Sequence, residues 1–289
     1  MKNAIKRVIL VIVTVPLLYA LALYVPYLNH LLLILVILAF VAGSAVELIQ
    51  MLEPQAGPFR FPAALAFALL PPVAVYIYSI FNPESSFLYR WLMPTGAATL
   101  ACFMLSGLPL AFSRQNLDIM AAAKTATSNA LIALYPGAMS TALIAVPSID
   151  EHGGRLIIWY SLIVFANDSL AWLFGITLGR TRGIVAVSPK KSLEGFVAGM
   201  TGSIGATMAG PILFPSSVPR NWSVLLAAGL ACGFLVIAGD LFESSIKRAA
   251  SVKDSGSIIP GRGGMLDSFD SILFTGPVFA GFLVFLRMT

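Results

Sequence analysis

Apolar positions along this chain come in long unbroken runs rather than in alternating or helical stripes. Such runs cover 8–27, 31–50, 61–82, 91–112, 128–147, 156–179, 195–215, 222–243 and 270–287. Each is close to the ~20 residues a helix needs to cross a ~30 Å hydrocarbon core. The pattern predicts an all-α integral membrane protein of about nine transmembrane helices. Pro71-Pro72 interrupts the third run, and Gly195, Gly199, Gly202, Gly205 and Gly210 interrupt the seventh. Both are tolerated inside a bundle where neighbours satisfy the backbone, and small residues let helices approach closely. Ala20-Leu21-Ala22 resembles a cleavage site. The run before it is longer than the 7–15 apolar residues of a signal peptide, so the first helix is expected to be retained.

Composition strengthens this reading. Hydrophobic residues make up 58% of the chain and charged residues 11%, where a soluble domain carries roughly 25% charged residues. The basic residues also orient the chain. Of the 18 Lys and Arg, 14 fall on the N-terminal tail and the even-numbered loops. The positive-inside rule then predicts a cytoplasmic N-terminus and an outside C-terminus. A pI near 9.3 suits contact with anionic lipid. No basic patch is interleaved with aromatic residues, so nucleic acid is not an expected partner. Cys102 and Cys232 lie inside runs and read as core residues, and His30 and His152 are too far apart in sequence to suggest a metal site.

The two parts of the chain differ. Residues 1–155 have short, plain loops and only Glu47 as an ionisable group within a run. They read as a scaffold of about five spans that contacts lipid and a second copy. Residues 156–289 carry Asp168 and Asp240 within runs and both charged loops, and read as the catalytic region of about four spans. An ionised Asp at a membrane-helix centre costs about 2.5–3.5 kcal/mol on insertion scales. Glu47 and Asp168 are each open to a structural reading, as polar contacts between helices, or to a functional one.

Asp240 points to function. With the eighth helix continued, Asp240, Ser244, Lys247 and Ser251 share one face, with Glu243 beside it. A solvated helix end accounts for Lys247 and Arg248, but not for an acid one to two turns earlier. Residues 244–270 hold seven of the chain's 31 charged residues. Lys253-Asp254 is followed by Pro260-Gly261-Arg262-Gly263-Gly264, a turn whose backbone N–H groups are suited to converge on an anion. Asp267 and Asp270 follow at i, i+3. One helix cap needs one Asp; two on a face, near Asp240, suit an oxygen-ligand site for Mg²⁺, which combines carboxylates with substrate phosphates. Lys and Arg alongside would neutralise phosphate oxygens. Together these are the groups used in phosphoryl or nucleotidyl transfer.

These residues carry a resemblance. Ser244, Lys247-Arg248, Lys253-Asp254, Pro260-Gly261, Gly263-Gly264, Asp267 and Asp270 resemble, in residue and spacing, the C-terminal signature of phosphatidate cytidylyltransferases (CDP-diacylglycerol synthases). A second stretch is similar to another segment of that family: Asp168-Ser169, Gly175, Gly179 and Ser188-Pro189-Lys190-Lys191-Ser192-x-Glu194-Gly195. The resemblance covers residues 156–289; residues 1–155 agree only in being several spans. There are two departures. Arg262 stands where the pattern usually has His, and Ser268 where it usually has Arg. An Arg at 262 removes any acid–base role there, because Arg stays protonated near neutral pH.

The resemblance implies that CTP and phosphatidate give CDP-diacylglycerol and pyrophosphate. It implies Mg²⁺, a monovalent cation such as K⁺, and a homodimer, and it carries over Asp240, Asp267 and Asp270 as metal ligands. By chemistry, Lys247, Arg248, Lys253 and Asp254 are the expected catalytic groups. Asp168, Ser188, Lys190, Lys191, Ser244, Arg262, Gly263 and Gly264 are the expected substrate-binding ones. A bacterial inner (plasma) membrane location with a cytoplasmic active site follows, with membrane lipids as partners. Two other readings stay open on the residues alone: a multi-span transporter for an ion or anionic substrate, since buried acids also mark ion pathways, and a CTP-dependent enzyme acting on another lipid.

Overall fold

The computed structural model describes residues 14–111, 119–259 and 263–288. Among them nine helices follow in order: α1 (Thr14–Tyr24), α2 (Tyr27–Leu52), α3 (Arg60–Phe81), α4 (Phe87–Ala111), α5 (Ile119–Ser148), α6 (Gly153–Thr177), α7 (Leu193–Leu213), α8 (Trp222–Ala249) and α9 (Leu266–Met288). Helices α2 to α9 are each long and apolar enough to cross a membrane; α1 is apolar but shorter, and residues 8–13 of its run lie outside the described residues. The described residues contain no named strand. Two isolated bridges, Arg182 to Ser192 and Ile259 to Gly263, pin the two charged loops. The all-α membrane architecture read from the apolar runs is therefore the architecture observed, and the chain is an integral membrane protein by its helices.

Helices α6, α7, α8 and α9 pack closely in chain order, and the α6–α7 contact is the most extensive among the described residues. Small residues make this possible. A Cβ on Gly199 would lie 2.6 Å from Asn167 Oδ1, and one on Gly202 would lie 2.7 Å from the Ala166 carbonyl. The backbones of α6 and α7 thus nearly touch, as small residues permit in a membrane bundle. Asn167 fixes the contact: it is buried and donates to Ser203 Oγ (2.9 Å) and to the Gly233 carbonyl (3.2 Å), joining α6, α7 and α8.

Helices α2 to α5 form the other group. Arg60, at the start of α3, donates to both carboxylate oxygens of Glu53 (2.9 and 2.8 Å) and to Asn129 on α5 (3.1 Å). The Arg60 hydrogen bond holds the Glu53 carboxyl below its usual range, against the opposing effect of burial. At the other end of the bundle Arg287 pairs with Asp150 at 2.7 Å.

The second half of α5 reaches the α6–α9 group. Its helix widens to a π turn at Ala133–Ala138, where Pro136 supplies no N–H for the regular ladder. The turn sets Tyr135 edge-on against Phe242 of α8 and Phe274 of α9, with ring centroids 5.0 and 5.9 Å away. Cys102 and Cys232 are both buried and free.

Candidate active site

Helices α6, α7, α8 and α9 and the charged loop between α6 and α7 line a cavity of about 560 Å³. Its wall carries five acids, Asp168, Asp240, Glu243, Asp267 and Asp270, and four bases, Arg182, Lys190, Lys191 and Lys247. The local chain explains their convergence. Asp240, Glu243 and Lys247 recur at i, i+3 and i+7 on α8, so one face carries all three. Asp267 and Asp270 lie in the first turn or so of α9, on the helix packed beside it.

Asp240, Glu243 and Asp270 form the tight group: one carboxylate oxygen from each lies within 4.8 Å of the other two. Glu243 and Asp270 are buried, at 1% and 7% exposure. Glu243 Oε1 is enclosed without a hydrogen-bond partner. Three carboxylates in so little volume, one with an orphaned oxygen, repel one another unless a cation is shared. Oxygen donors of this kind suit a hard divalent ion such as Mg²⁺, and the residues present fit one.

The group differs from the set expected from sequence. Asp267 is not in it. Its Oδ1 accepts from Lys247 Nζ at 2.6 Å, and its Oδ2 accepts from the backbone N–H groups of Ser255 (2.9 Å) and Gly264 (2.7 Å). Glu243, which sequence reading set aside as a flanking residue, takes its place. Lys247 bridges the two, pairing with Glu243 as well as Asp267.

The described end of the glycine turn, Gly263 and Gly264, is engaged within the protein. The N–H of Gly264 goes to Asp267, and those of Met265 and Leu266 go to Glu47 at 2.8 Å each. The N–H of Gly263 goes to the Ile259 carbonyl at 3.2 Å. These donors are satisfied within the protein, so they do not form an open anion cradle. The glycines serve close approach instead. A Cβ on Gly264 would overlap Ser255 Oγ and the Glu47 carboxylate, and Gly263 sits at φ +112°, where a side chain is strained.

Glu47 is the residue that sequence reading could not place. It comes from α2, is 1% exposed, and accepts from Ser255 Oγ (2.8 Å) as well as the two N–H groups. It thereby caps the first turn of α9 from a different helix, satisfying donors that no local residue reaches. The division into residues 1–155 and 156–289 is bridged at this point.

The remaining expected residues fall into two groups. Asp168 is exposed on the cavity wall. Lys190 and Lys191 line it too, with Lys191 ion-paired to Asp240 and 5.9 Å above the Phe196 ring. Ser188, Ser244, Arg248, Lys253 and Asp254 do not line it. Ser244 is buried, and Lys253 and Asp254 are exposed. Arg248 donates to the Val187 carbonyl (3.3 Å) and the Val252 carbonyl (3.3 Å), tying the two charged loops together. Ser251, placed by sequence on the Asp240 face, lies beyond the helix at φ +58°. Arg262 lies outside the described residues.

A model described as the cytidylyltransferase family matches residues 5–286. The chain belongs to the cytidylyltransferase family. It is 40% identical over 143 residues to an uncharacterised protein of Escherichia coli, covering 49% of this chain and 47% of that one. It is 36% identical over 156 residues to a phosphatidate cytidylyltransferase of Bacillus subtilis, covering 54% and 56%. With a phosphatidate cytidylyltransferase of Helicobacter pylori it shares 32% identity over 190 residues, covering 65% and 67%. The chain thus spans about half the length of the first two of these relatives.

Within the cytidylyltransferase frame, the residues missed from sequence had faint signals. Glu243 was legible as the residue at i+3 from Asp240, but sequence placed it only beside the Asp240 face. Arg182, which lines the cavity and donates to the Gly175 carbonyl at 3.0 Å, had only its place in a basic loop.

Proposed function

We propose that the protein is a CTP:phosphatidate cytidylyltransferase, joining the two substrates to give CDP-diacylglycerol and pyrophosphate. The observation that carries this reading is the clustering of Asp240, Glu243 and Asp270 beside Lys191 and Lys247 in one cavity at the ends of membrane helices. The named relatives from Bacillus subtilis and Helicobacter pylori support the substrate pair.

Asp240, Glu243 and Asp270 would hold Mg²⁺, which when bound neutralises phosphate charge and strengthens the α-phosphorus as an electrophile. The bases do the rest. Two of them are paired with acids: Lys191 with Asp240, and Lys247 with Glu243 and Asp267. Anionic substrates compete for them, so Lys190, Lys191 and Arg182 turn to phosphate oxygens as CTP and the lipid headgroup enter. Lys247 stays between α8 and α9, where it keeps Asp267 and the loop behind it in register. A lipid phosphate oxygen then attacks the CTP α-phosphorus in line, the α–β bridge breaks, and pyrophosphate leaves with its electron pair. The phosphate monoester is already anionic near pH 7, so no general base is needed, and catalysis rests on positioning and charge neutralisation. Asp168, exposed on the wall of the same cavity, is the acid we assign to a monovalent cation such as K⁺. A homodimer in a bacterial plasma membrane completes the reading.

The test uses the purified chain in detergent micelles with CTP, phosphatidate and Mg²⁺. Expected is CDP-diacylglycerol formed in step with pyrophosphate and stimulated by K⁺. Absence of product with phosphatidate, but turnover of another lipid phosphate, would move the substrate assignment while keeping the chemistry.

The site faces the cytoplasm in this proposal, because CTP is cytoplasmic and the basic loops lie at that end. Ser257 is exposed on the charged loop before α9, while both native cysteines are buried. Ser257→Cys should therefore react with a membrane-impermeant maleimide in inverted vesicles and stay unlabelled in intact spheroplasts. The opposite pattern would reverse the orientation.

A further inference from the structure

A second cavity, of about 180 Å³, lies beside the first between α1, α2, α6 and α9. Ser268, Phe165 and Ile272 line both cavities, so the two adjoin at these side chains. The lining of the second is apolar, and its Tyr and Ser hydroxyls are already engaged. Tyr19 and Ser161 hydrogen-bond to each other at 2.8 Å, and the Tyr160 hydroxyl donates to the Ile272 carbonyl. A polar ligand would find no partner there.

The groove has a direction. On α2 its lining runs from Phe40 to Leu33, away from Glu47, and on α6 it runs from Phe165 to Ile157, away from Asp168. Seven or eight helical residues correspond to about 10–12 Å along the bundle axis. The groove thus descends from the charged cavity into the apolar depth of the bundle. A cavity with bases and a candidate cation site, set against an apolar groove of this orientation, matches a molecule with a phosphate head and a hydrocarbon tail.

We propose that one acyl chain of the lipid substrate lies in this groove, threaded past Ser268, while its phosphate sits in the charged cavity. The proposal rests on the cytidylyltransferase reading for the identity of the headgroup, but the groove itself can be tested without turnover. Its role is alignment rather than affinity. A lipid tail leaving the bilayer gains little hydrophobic free energy, because it exchanges one apolar environment for another. Holding the chain does restrict the headgroup to one approach to CTP. Ser268 serves the passage by being small, with its hydroxyl turned to the Gly264 carbonyl at 3.4 Å. The bulk of α1 also gains a use, since Val15, Leu18 and Tyr19 close the outer wall.

The experiment has two arms. In the first, the wild-type chain in nanodiscs is photolysed with phosphatidate carrying a mid-chain diazirine, and separately with phosphatidylcholine carrying the same chain. Expected are adducts on the peptides holding Val36–Phe40 and Ile157–Phe165 from the phosphatidate probe, suppressed by unlabelled phosphatidate. Equal labelling by both probes, or adducts confined to outward faces such as Phe103, overturns the proposal. In the second arm Val36→Trp fills the groove, with Phe103→Trp as a lipid-facing control. Val36→Trp should lower kcat/KM for dioleoyl phosphatidate by about fivefold or more while leaving dihexanoyl phosphatidate and the KM for CTP nearly unchanged. An equal loss on both lipids overturns the groove. If the wild type turns over neither lipid, the cytidylyltransferase reading fails, and the adduct map alone decides the groove.

Discussion

Asp270→Asn and Glu243→Gln, purified in detergent with their helical content intact, are each expected to lose about 10²–10³-fold in CTP-dependent turnover. Each substitution keeps the side-chain size and removes one charge from the three-carboxylate group. The loss should be accompanied by a rise of at least about tenfold in the Mg²⁺ concentration giving half-maximal rate. Asp267→Asn is the informative comparison. Its carboxylate is engaged by Lys247 and by two backbone N–H groups, so its loss should disorder the loop and depress turnover with a smaller shift in the Mg²⁺ midpoint. If Asp267→Asn moves the midpoint as far as Asp270→Asn does, the divalent site includes Asp267 and the Lys247 pair must open on loading. Near-wild-type rates in Glu243→Gln would remove Glu243 from the site.

Glu47→Ala should be nearly as damaging, for a different reason. It leaves the Met265 and Leu266 N–H groups and the Ser255 hydroxyl without their acceptor in a buried position. An unsatisfied buried donor costs about 1–3 kcal/mol, and two backbone donors are stranded at the start of α9. The first turn of α9 carries Asp267 and leads to Asp270, so the loosening is transmitted to the site. The expected result is a lower thermal midpoint, faster amide exchange through residues 255–266, and a large fall in kcat. Exchange in α3 and α4 should be unaltered. Glu47→Gln should recover little, because the amide offers one acceptor oxygen and turns a donor toward a donor. A Glu47→Ala protein with unchanged exchange in that segment would show that α2 is not what holds the loop.

Much of this protein was legible in the chain itself, for a plain physical reason. A bilayer admits only backbone that satisfies its own hydrogen bonds, so long apolar runs must become helices. The nine runs accordingly correspond one to one with α1 to α9, even where Pro71-Pro72 and the glycines of α7 interrupt them. Asp240 was also legible, because an acid within an apolar run is costly and needs a purpose, and Asp270 because its spacing puts it on one helical face with Asp267. Helix ends were less so: α8 continues to Ala249 and α9 begins at Leu266, each beyond its apolar run, because charged residues extend a helix into the polar zone without breaking it.

What the sequence determined by itself was the class of structure, the end of the bundle where charge collects, and the kinds of group available there. Only the tertiary structure decided which groups meet. Helical periodicity is a local rule, and it could put Glu243 on the face of Asp240 but could not say that Asp267 is claimed by Lys247 and by backbone N–H groups. It could not bring Glu47 from α2 to the first turn of α9, across more than 200 residues of chain. Nor could it set an apolar groove against a charged cavity at Ser268. Each of these is a contact between helices remote in sequence. Such contacts depend on how the helices pack, through small residues such as Gly199 and Gly202 and buried polar ties such as Asn167, and not on the spacing of residues along any one of them.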